Sequence, residues 1–334
     1  MHRLLMFVVL LLSSLCTKSV AAELPRTPMT VDVGLFVIDI TNFNQQENTF
    51  DVELDVVTGW QDPRRGFELA DNEGTFRMYK TEKALEELAK GWAPELYILN
   101  TVGAPSLGVV RTRIDADGTV VNRARLRGTL RATLDFRKFP FDVQALPIHI
   151  ESLMWSADQL RIAHDESFSG FGADYEMPEW TLEDLAAEQQ VVERPQEGQS
   201  YARITFLVQI DRKIGFYLWK ILLPLLVITA ITWVVFFMSE DALGRRAGVS
   251  STGMLTVIAY QLILADSLPR FPYLTLMDKV ALLTLVFIAM TMLENIVATR
   301  MEPEGRRRLD RACRVVFPVG YYASLALVLA PLLF

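Results

Sequence analysis

A chain of 334 residues has room for about two domains. Its formal net charge of −7 lacks the basic excess that a nucleic-acid partner would call for. Hydrophobic residues make up 51% of it and gather at the extreme N-terminus and beyond residue 215, which implies a membrane protein with a water-soluble front half.

The chain opens MHRLLMFVVLLLSSLCTKSVAAE. Arg3 supplies a positive flank, Leu4 to Leu12 an apolar run, and Val20-Ala21-Ala22 a small-residue cleavage site, so residues 1–22 read as a secretory signal peptide. Cleavage after Ala22 removes Cys16 and leaves Cys313 alone. The exported part is therefore expected to hold by packing, without an internal disulfide.

Residues 23–213 are expected to form an extracellular all-β sandwich. Period-two alternation recurs along them: Phe50, Val52, Leu54 and Val56, then Ile204, Phe206, Val208 and Ile210. In RARLRGTLRATLDF the apolar Leu126, Leu130, Leu134 and Phe136 share one parity. Arg125, Arg127, Arg131 and Asp135 share the other, as the wet face of a strand. Asp117-Gly118 reads as a hairpin turn, because glycine tolerates positive φ. TEKALEELAKG reads as a helix with Thr81 as its cap and Gly91 as its stop.

Residues 214–334 carry four apolar runs, at about 216–238, 247–265, 276–297 and 315–334. Each is close to the ~20 residues that span a bilayer. With the sandwich exported, four crossings put the C-terminus outside as well. The stretch TRMEPEGRRRLDRACR, with six arginines, is then cytoplasmic.

The second run contains Ser250, Ser251, Thr252, Thr256 and Gln261. At about 100° per residue, Gly248, Thr252, Leu255, Ala259, Leu262 and Asp266 share a stripe roughly 80° wide. It is about 27 Å long. Two readings fit these residues: small and hydroxyl side chains as glue between helices, or the wall of a water-filled pore. One such helix cannot enclose a pore, so the second reading requires an oligomer.

Several stretches carry a resemblance. LDFRKFPFDVQAL, with Asp135, Phe139, Pro140, Asp142 and Gln144, resembles the signature loop of the pentameric ligand-gated ion channels, the Cys-loop receptor superfamily. WQD at 60–62, WAPELYILN at 92–100, LWKILLPL in the first span and SLPRFPY at 267–273 are similar to the family's pattern, in the family's order. The loop's two cysteine positions are Ala132 and Leu146 here, a departure typical of the prokaryotic branch.

The resemblance covers essentially the whole mature chain. It implies a homopentamer of ten-strand sandwiches in the bacterial inner membrane, with the second span of each copy lining a central pore. That puts Gly248, Thr252, Leu255, Ala259, Leu262 and Asp266 along the conduit, with Leu255 and Leu262 as constrictions. It places Tyr97, Glu151, Trp155 and Tyr201 near the interfacial agonist cavity, where aromatic faces and a carboxylate would suit a cationic amine. Some bacterial relatives answer to pH instead. Coupling between sandwich and membrane is implied for Glu47, Phe139, Pro140, Asp142, Arg212 and Pro269, with Asp142 and Arg212 as an ion pair. The expected partners are further copies of the chain, the lipid bilayer, permeant monovalent cations, and a small agonist or protons. No cofactor or metal is expected.

Competing classes fare worse. An enzyme would need a nucleophile, metal or phosphate-binding pattern, and the chain has no HExxH and no phosphate-loop glycines. A transporter would show repeated halves or broken helices. A membrane-anchored receptor that conducts nothing would fit the sandwich but has no use for the polar stripe.

Overall fold

The computed structural model describes residue 24 and residues 27–68, 74–172, 177–238, 243–267 and 272–332, the side chains of 243 and 264–267 excepted. The expected signal peptide lies outside them. From Met29 to Arg212 strands are the dominant regular structure, and from Gly215 onward helices are.

The strands are β1 (Met29–Asn44), β2 (Thr49–Gln61), β3 (Phe76–Lys80), β4 (Leu96–Ile98), β5 (Ser106–Asp115), β6 (Thr119–Arg131), β7 (Val143–Ser152), β8 (Leu160–His164), β9 (Gly170–Phe171), β10 (Trp180–Arg194) and β11 (Gln199–Arg212). They form two sheets. The larger runs β3-β5-β6-β2-β1-β8, with β9 also on β1; the smaller runs β10-β11-β7-β4. Alternation decides which side chains meet between the sheets. Val31, Val33 and Leu35 of β1, Phe50, Val52 and Leu54 of β2, Leu146, Ile148 and Ile150 of β7, and Ile204, Phe206 and Val208 of β11 all lie in one buried core.

The wet face of β6 is more ordered than alternation alone implies. Its arginines stand opposite the acids of β2: Arg125 pairs with Asp55 at 2.9 Å, and Arg127 pairs with Glu53. The β5–β6 turn has Gly118 at φ +87, as the Asp-Gly pair requires. Helix α1 (Glu82–Ala89) starts where expected, but Thr81 sits at φ +51 and its hydroxyl caps nothing. The Thr81 carbonyl instead accepts the Ala84 and Leu85 N–H groups.

Four long helices follow: α2 (Gly215–Phe237), α3 (Leu243–Ser267), α4 (Leu276–Thr299) and α5 (Pro303–Leu329). Among the described residues α2, α4 and the stretch Pro303–Leu332 are each long and apolar enough to cross a membrane. The last helix begins at Pro303, not at residue 315. Proline at its first position and the arginines behind it are good helix starters and formers, so the helix starts well before the apolar run. In α2 a wider π-type turn over Leu218–Leu222 precedes Pro224, whose ring an ordinary turn would crowd.

The bundle has its own core, built from Leu225, Trp233, Phe236, Val257, Ile288, Phe317 and Tyr321. The Tyr321 hydroxyl hydrogen-bonds that of Thr284 at 2.8 Å. Helices α2 and α3 touch at Gly253, where an added Cβ would overlap the Thr232 methyl. Gly253→Ala is therefore expected to cost about 1–3 kcal/mol, the usual price of overpacking. Gly248→Ala, at a position with nothing within 4 Å, should cost little. Thermal unfolding of the detergent-solubilised protein compares the two.

Candidate functional site: the pore-helix face and the coupling junction

Helix α3 has two opposed faces. Arg246, Ser250, Gly253 and Val257 are buried against the other helices. Gly248, Thr252, Leu255, Ala259 and Leu262 are all exposed, Leu255 at 67% and Leu262 at 65%. The polar residues divide between the two faces. Ser250 is glue, accepting a hydrogen bond from Asn295 Nδ2 of α4 at 3.3 Å. Thr252 lies on the open stripe, and Thr256 donates to the Thr252 carbonyl at 2.8 Å, which satisfies its hydroxyl within the helix. Asp266 is at the outer end of α3, its side chain outside the described residues, as is Pro269 entirely.

The junction between sandwich and bundle centres on Arg212, the last residue of β11. Its side chain is 0% exposed and that of Asp142 2%. Arg212 Nε donates to Asp142 Oδ1 at 2.7 Å and Nη2 to Oδ2 at 3.0 Å, a bidentate pair. The guanidinium lies 4.0 Å from the Trp180 ring centroid and 4.8 Å from that of Phe139. Gln45 Oε1 accepts from Nη2 at 3.1 Å, and Gln144 Nε2 donates to Asp142 at 2.6 Å. Tyr217, in the first turn of α2, packs edge-on to Phe139 with ring centroids 4.8 Å apart.

The signature loop also sits on the start of α4. The Arg137 carbonyl accepts from Leu276 N–H at 3.0 Å and the Phe139 carbonyl from Met277 N–H at 3.3 Å. A helix start has free N–H groups to offer, and here the loop takes them. Tyr217 and Met277 are both buried in the sandwich core cluster, so two helices root in it. Pro140 is buried beside Phe139, within the loop.

Glu47 does not join this cluster. It is exposed, its N–H bonded to Asn44 Oδ1, and it lines a cleft of about 500 Å³ with Arg131, His149 and Tyr273. The acceptor that reaches Arg212 from the β1–β2 connection is Gln45. Gln45, Trp180 and Tyr217 carry no charge to suggest a pair with Arg212, and sequence reasoning missed all three.

The four expected agonist residues lie near the β4–β7–β11 edge. Tyr97 pairs with Glu151 across β4 and β7, and Glu151 with Arg203 across β7 and β11. Glu151 is 0% exposed and ion-paired with both Arg194 and Arg203, the latter at 2.7 Å. Arg194 covers the Tyr201 ring at 4.9 Å, and the Tyr201 hydroxyl donates to Glu197 at 2.7 Å. Trp155 packs on Trp92 with ring centroids 6.0 Å apart. Tyr97 alone is widely exposed, at 46%. The carboxylate and one aromatic face that would attract an amine are thus already occupied by arginine.

A family model described as the neurotransmitter-gated ion-channel ligand binding domain matches residues 10–214. The chain belongs to the Cys-loop receptor superfamily of ligand-gated ion channels. It is similar to a proton-gated ion channel of Gloeobacter violaceus, 25% identical over 298 residues, which is 88% of this chain and 80% of that one. A gamma-aminobutyric acid receptor subunit beta-4 of Gallus gallus is 26% identical over 80% of this chain, and a pH-sensitive chloride channel 2 of Anopheles gambiae 25% over 74%. The chain spans 54% and 42% of the length of these two animal proteins. Together with the missing loop cysteines, the bacterial match marks a prokaryotic member of the superfamily, a family of channels rather than enzymes.

Two expectations about this receptor chain follow from the geometry. Asp142→Asn leaves Arg212 buried with a neutral partner, so it should cost roughly 3 kcal/mol or more of stability. Arg212→Lys keeps the charge but loses the fork and the planar contact to Trp180, and should blunt gating while assembly persists. Native mass and dose–response curves separate the two effects.

His149 gives the second. It is half-buried, its ring Nδ1 2.9 Å from the Thr205 hydroxyl. Burial, and then the charge of Arg203, hold it below its ordinary value of 6.5. As pH falls the unfolded chain takes this proton first, so the stability linked to His149 is full above about 6.5 and is lost below it. His149→Asn should flatten that part of the acid dependence, as read by thermal unfolding between about pH 7 and about pH 5.

Proposed function

We propose that the chain forms a homopentameric ion channel in the bacterial inner membrane, opened by a small extracellular ligand or by protons. Both chain ends face outward, and residues 1–22 are removed as a signal peptide. The observation that carries this reading is the open stripe of α3. Gly248, Thr252, Leu255, Ala259 and Leu262 face away from the chain's own bundle, while the opposite face is packed. Five copies of that stripe would enclose a conduit, with hydroxyls toward the inner end and apolar rings at Leu255 and Leu262. A narrow apolar ring gates by expelling water. A non-conducting anchor would leave the stripe without a role.

Opening would begin in the sandwich and reach α3 by two routes, both through the signature loop: Asp142–Arg212–Tyr217 into α2, and the Arg137 and Phe139 carbonyls into α4. The agonist reading follows from Glu151. Two arginines already hold it, so an anionic or zwitterionic ligand fits this edge better than a simple amine. Cation selectivity is the reading of the pore ends. Asp266 closes the stripe at the outer mouth and Glu240 and Asp241 precede α3, against the opposing charge of Arg245 on the exposed side of its inner end.

Leu255→Ser removes bulk and adds a hydroxyl at the constriction. The channel is expected to leak at rest or to open at lower stimulus, whereas Leu327→Ser, at an exposed position on α5, should do neither. Planar-bilayer recording of the purified protein over a range of pH and with small acids and amines reads this directly, and reversal potentials in a salt gradient read the selectivity. A Leu255→Ser protein with the wild-type threshold and no leak would move the gate to Leu262. Absence of any current, together with monomers in native mass measurements, would return the non-conducting receptor.

A further inference from the structure

The inner end of the bundle holds a buried polar cluster that neither conduction nor coupling uses. Arg246, on the packed face of α3, donates Nη1 to Asp310 Oδ1 of α5 at 3.2 Å and Nη2 to Oδ2 at 3.0 Å. It also donates Nη2 to the Met238 carbonyl, just past the end of α2, at 2.7 Å. Arg246 thus ties the inner end of the exposed-stripe helix to α5. Beside this tie stands Glu294 of α4, only 8% exposed. Neither of its oxygens has a hydrogen-bond donor among the nitrogens and hydroxyls around it.

The Glu294 carboxyl instead meets the carboxyl of Asp310, with the guanidiniums of Arg246 and Arg306 nearby. The groups facing it are Arg246 from α3 and Arg306, Asp310 and the Cys313 thiol from α5. Arg306 is itself 8% exposed, and its Nε and Nη2 have no partner. Two carboxylates in contact repel, and two carboxylates cannot hydrogen-bond each other without a proton. A proton on Glu294 resolves both problems. Its O–H donates to Asp310, which stays anionic and keeps its two bonds to Arg246. If the proton leaves, Glu294 competes with Asp310 for Arg246 and offers the idle N–H groups of Arg306 an acceptor.

We propose that Glu294 is a proton-binding site at the cytoplasmic end of the bundle, sharing its proton with Asp310, and that cytoplasmic protons thereby set how firmly Arg246 holds the pore helix to α5. The proposal rests on the channel reading of α3. It takes its sidedness from the six arginines between residues 299 and 314. The site lies at the opposite end of the membrane from the sandwich, so it would act as a second input beside any extracellular stimulus.

Glu294→Gln is the discriminating variant, because the amide keeps a donor toward Asp310 and cannot titrate. Inside-out patches are exposed to cytoplasmic baths between about pH 6 and about pH 9 with the outer solution fixed. In the wild type the activation midpoint should shift by about fivefold, the low end of an allosteric coupling. Glu294→Gln should hold its low-pH position throughout. A wild type that ignores cytoplasmic pH, or a Glu294→Gln channel that still responds, overturns the proposal. Infrared difference spectroscopy of the purified protein tests the proton without any current. A buried protonated-carboxyl C=O band, sensitive to D2O, should vanish in Glu294→Gln and persist in the exposed control Glu47→Gln. Its absence from the wild type overturns the proton site. The band in a protein that never conducts would support the site and overturn the pore.

Discussion

The junction depends on one buried charge. Arg212 lies where the sandwich ends and the first helix begins, and its guanidinium is out of water altogether. Such a charge is tolerable only when its donors are satisfied, and here Asp142, Gln45 and the Tyr217 hydroxyl take them while Trp180 and Phe139 cover its faces. Asp142 and Phe139 come from the signature loop, Gln45 from the β1–β2 connection, Trp180 from β10 and Tyr217 from α2. Satisfying one residue therefore fixes the β1–β2 connection, the signature loop, β10, β11 and α2 relative to one another. A change in the sandwich that moved Asp142 would expose the cost of the unpaired arginine.

The second root, at α4, works by backbone chemistry. A helix start presents N–H groups that have no partner within the helix. Thr275 and Asp278 cap each other reciprocally, while the Leu276 and Met277 N–H groups go to carbonyls of the signature loop. These contacts need no particular side chain on the loop. The two rooted helices, α2 and α4, both pack on α3. Its outward face stays free, and its inward face is held by Gly253 against α2, Ser250 against α4 and Arg246 against α5.

The inner cluster mirrors the outer one. In both, an arginine at a helix or strand end is bound through two N–H groups by an aspartate on another element. They differ in completeness: Arg212 and Gln144 both donate to Asp142, whereas beside Asp310 a second carboxyl intrudes. That incompleteness is why the inner end is a candidate for control and the outer end for transmission.

Local pattern was enough for much of this protein. Alternation along Phe50 to Val56 and Ile204 to Ile210 named the buried faces of two strands, since strand side chains point alternately in and out whatever the partner. The same holds for the Asp117-Gly118 turn, set by covalent geometry. The Asp142–Arg212 pair came only from resemblance, because nothing local ties residues 70 apart in the chain. Tertiary structure alone decided which residues surround that pair. Gln45 rather than Glu47 reaches it, and Glu151 is held by arginines rather than left open to a ligand. Whether Ser250 is glue and Thr252 open was likewise undecidable from the helix itself. The physical reason is the same in each case. A polar side chain's role is fixed by what meets it in three dimensions, and for Arg212, Glu151 and Glu294 those neighbours arrive from strands and helices far away in sequence.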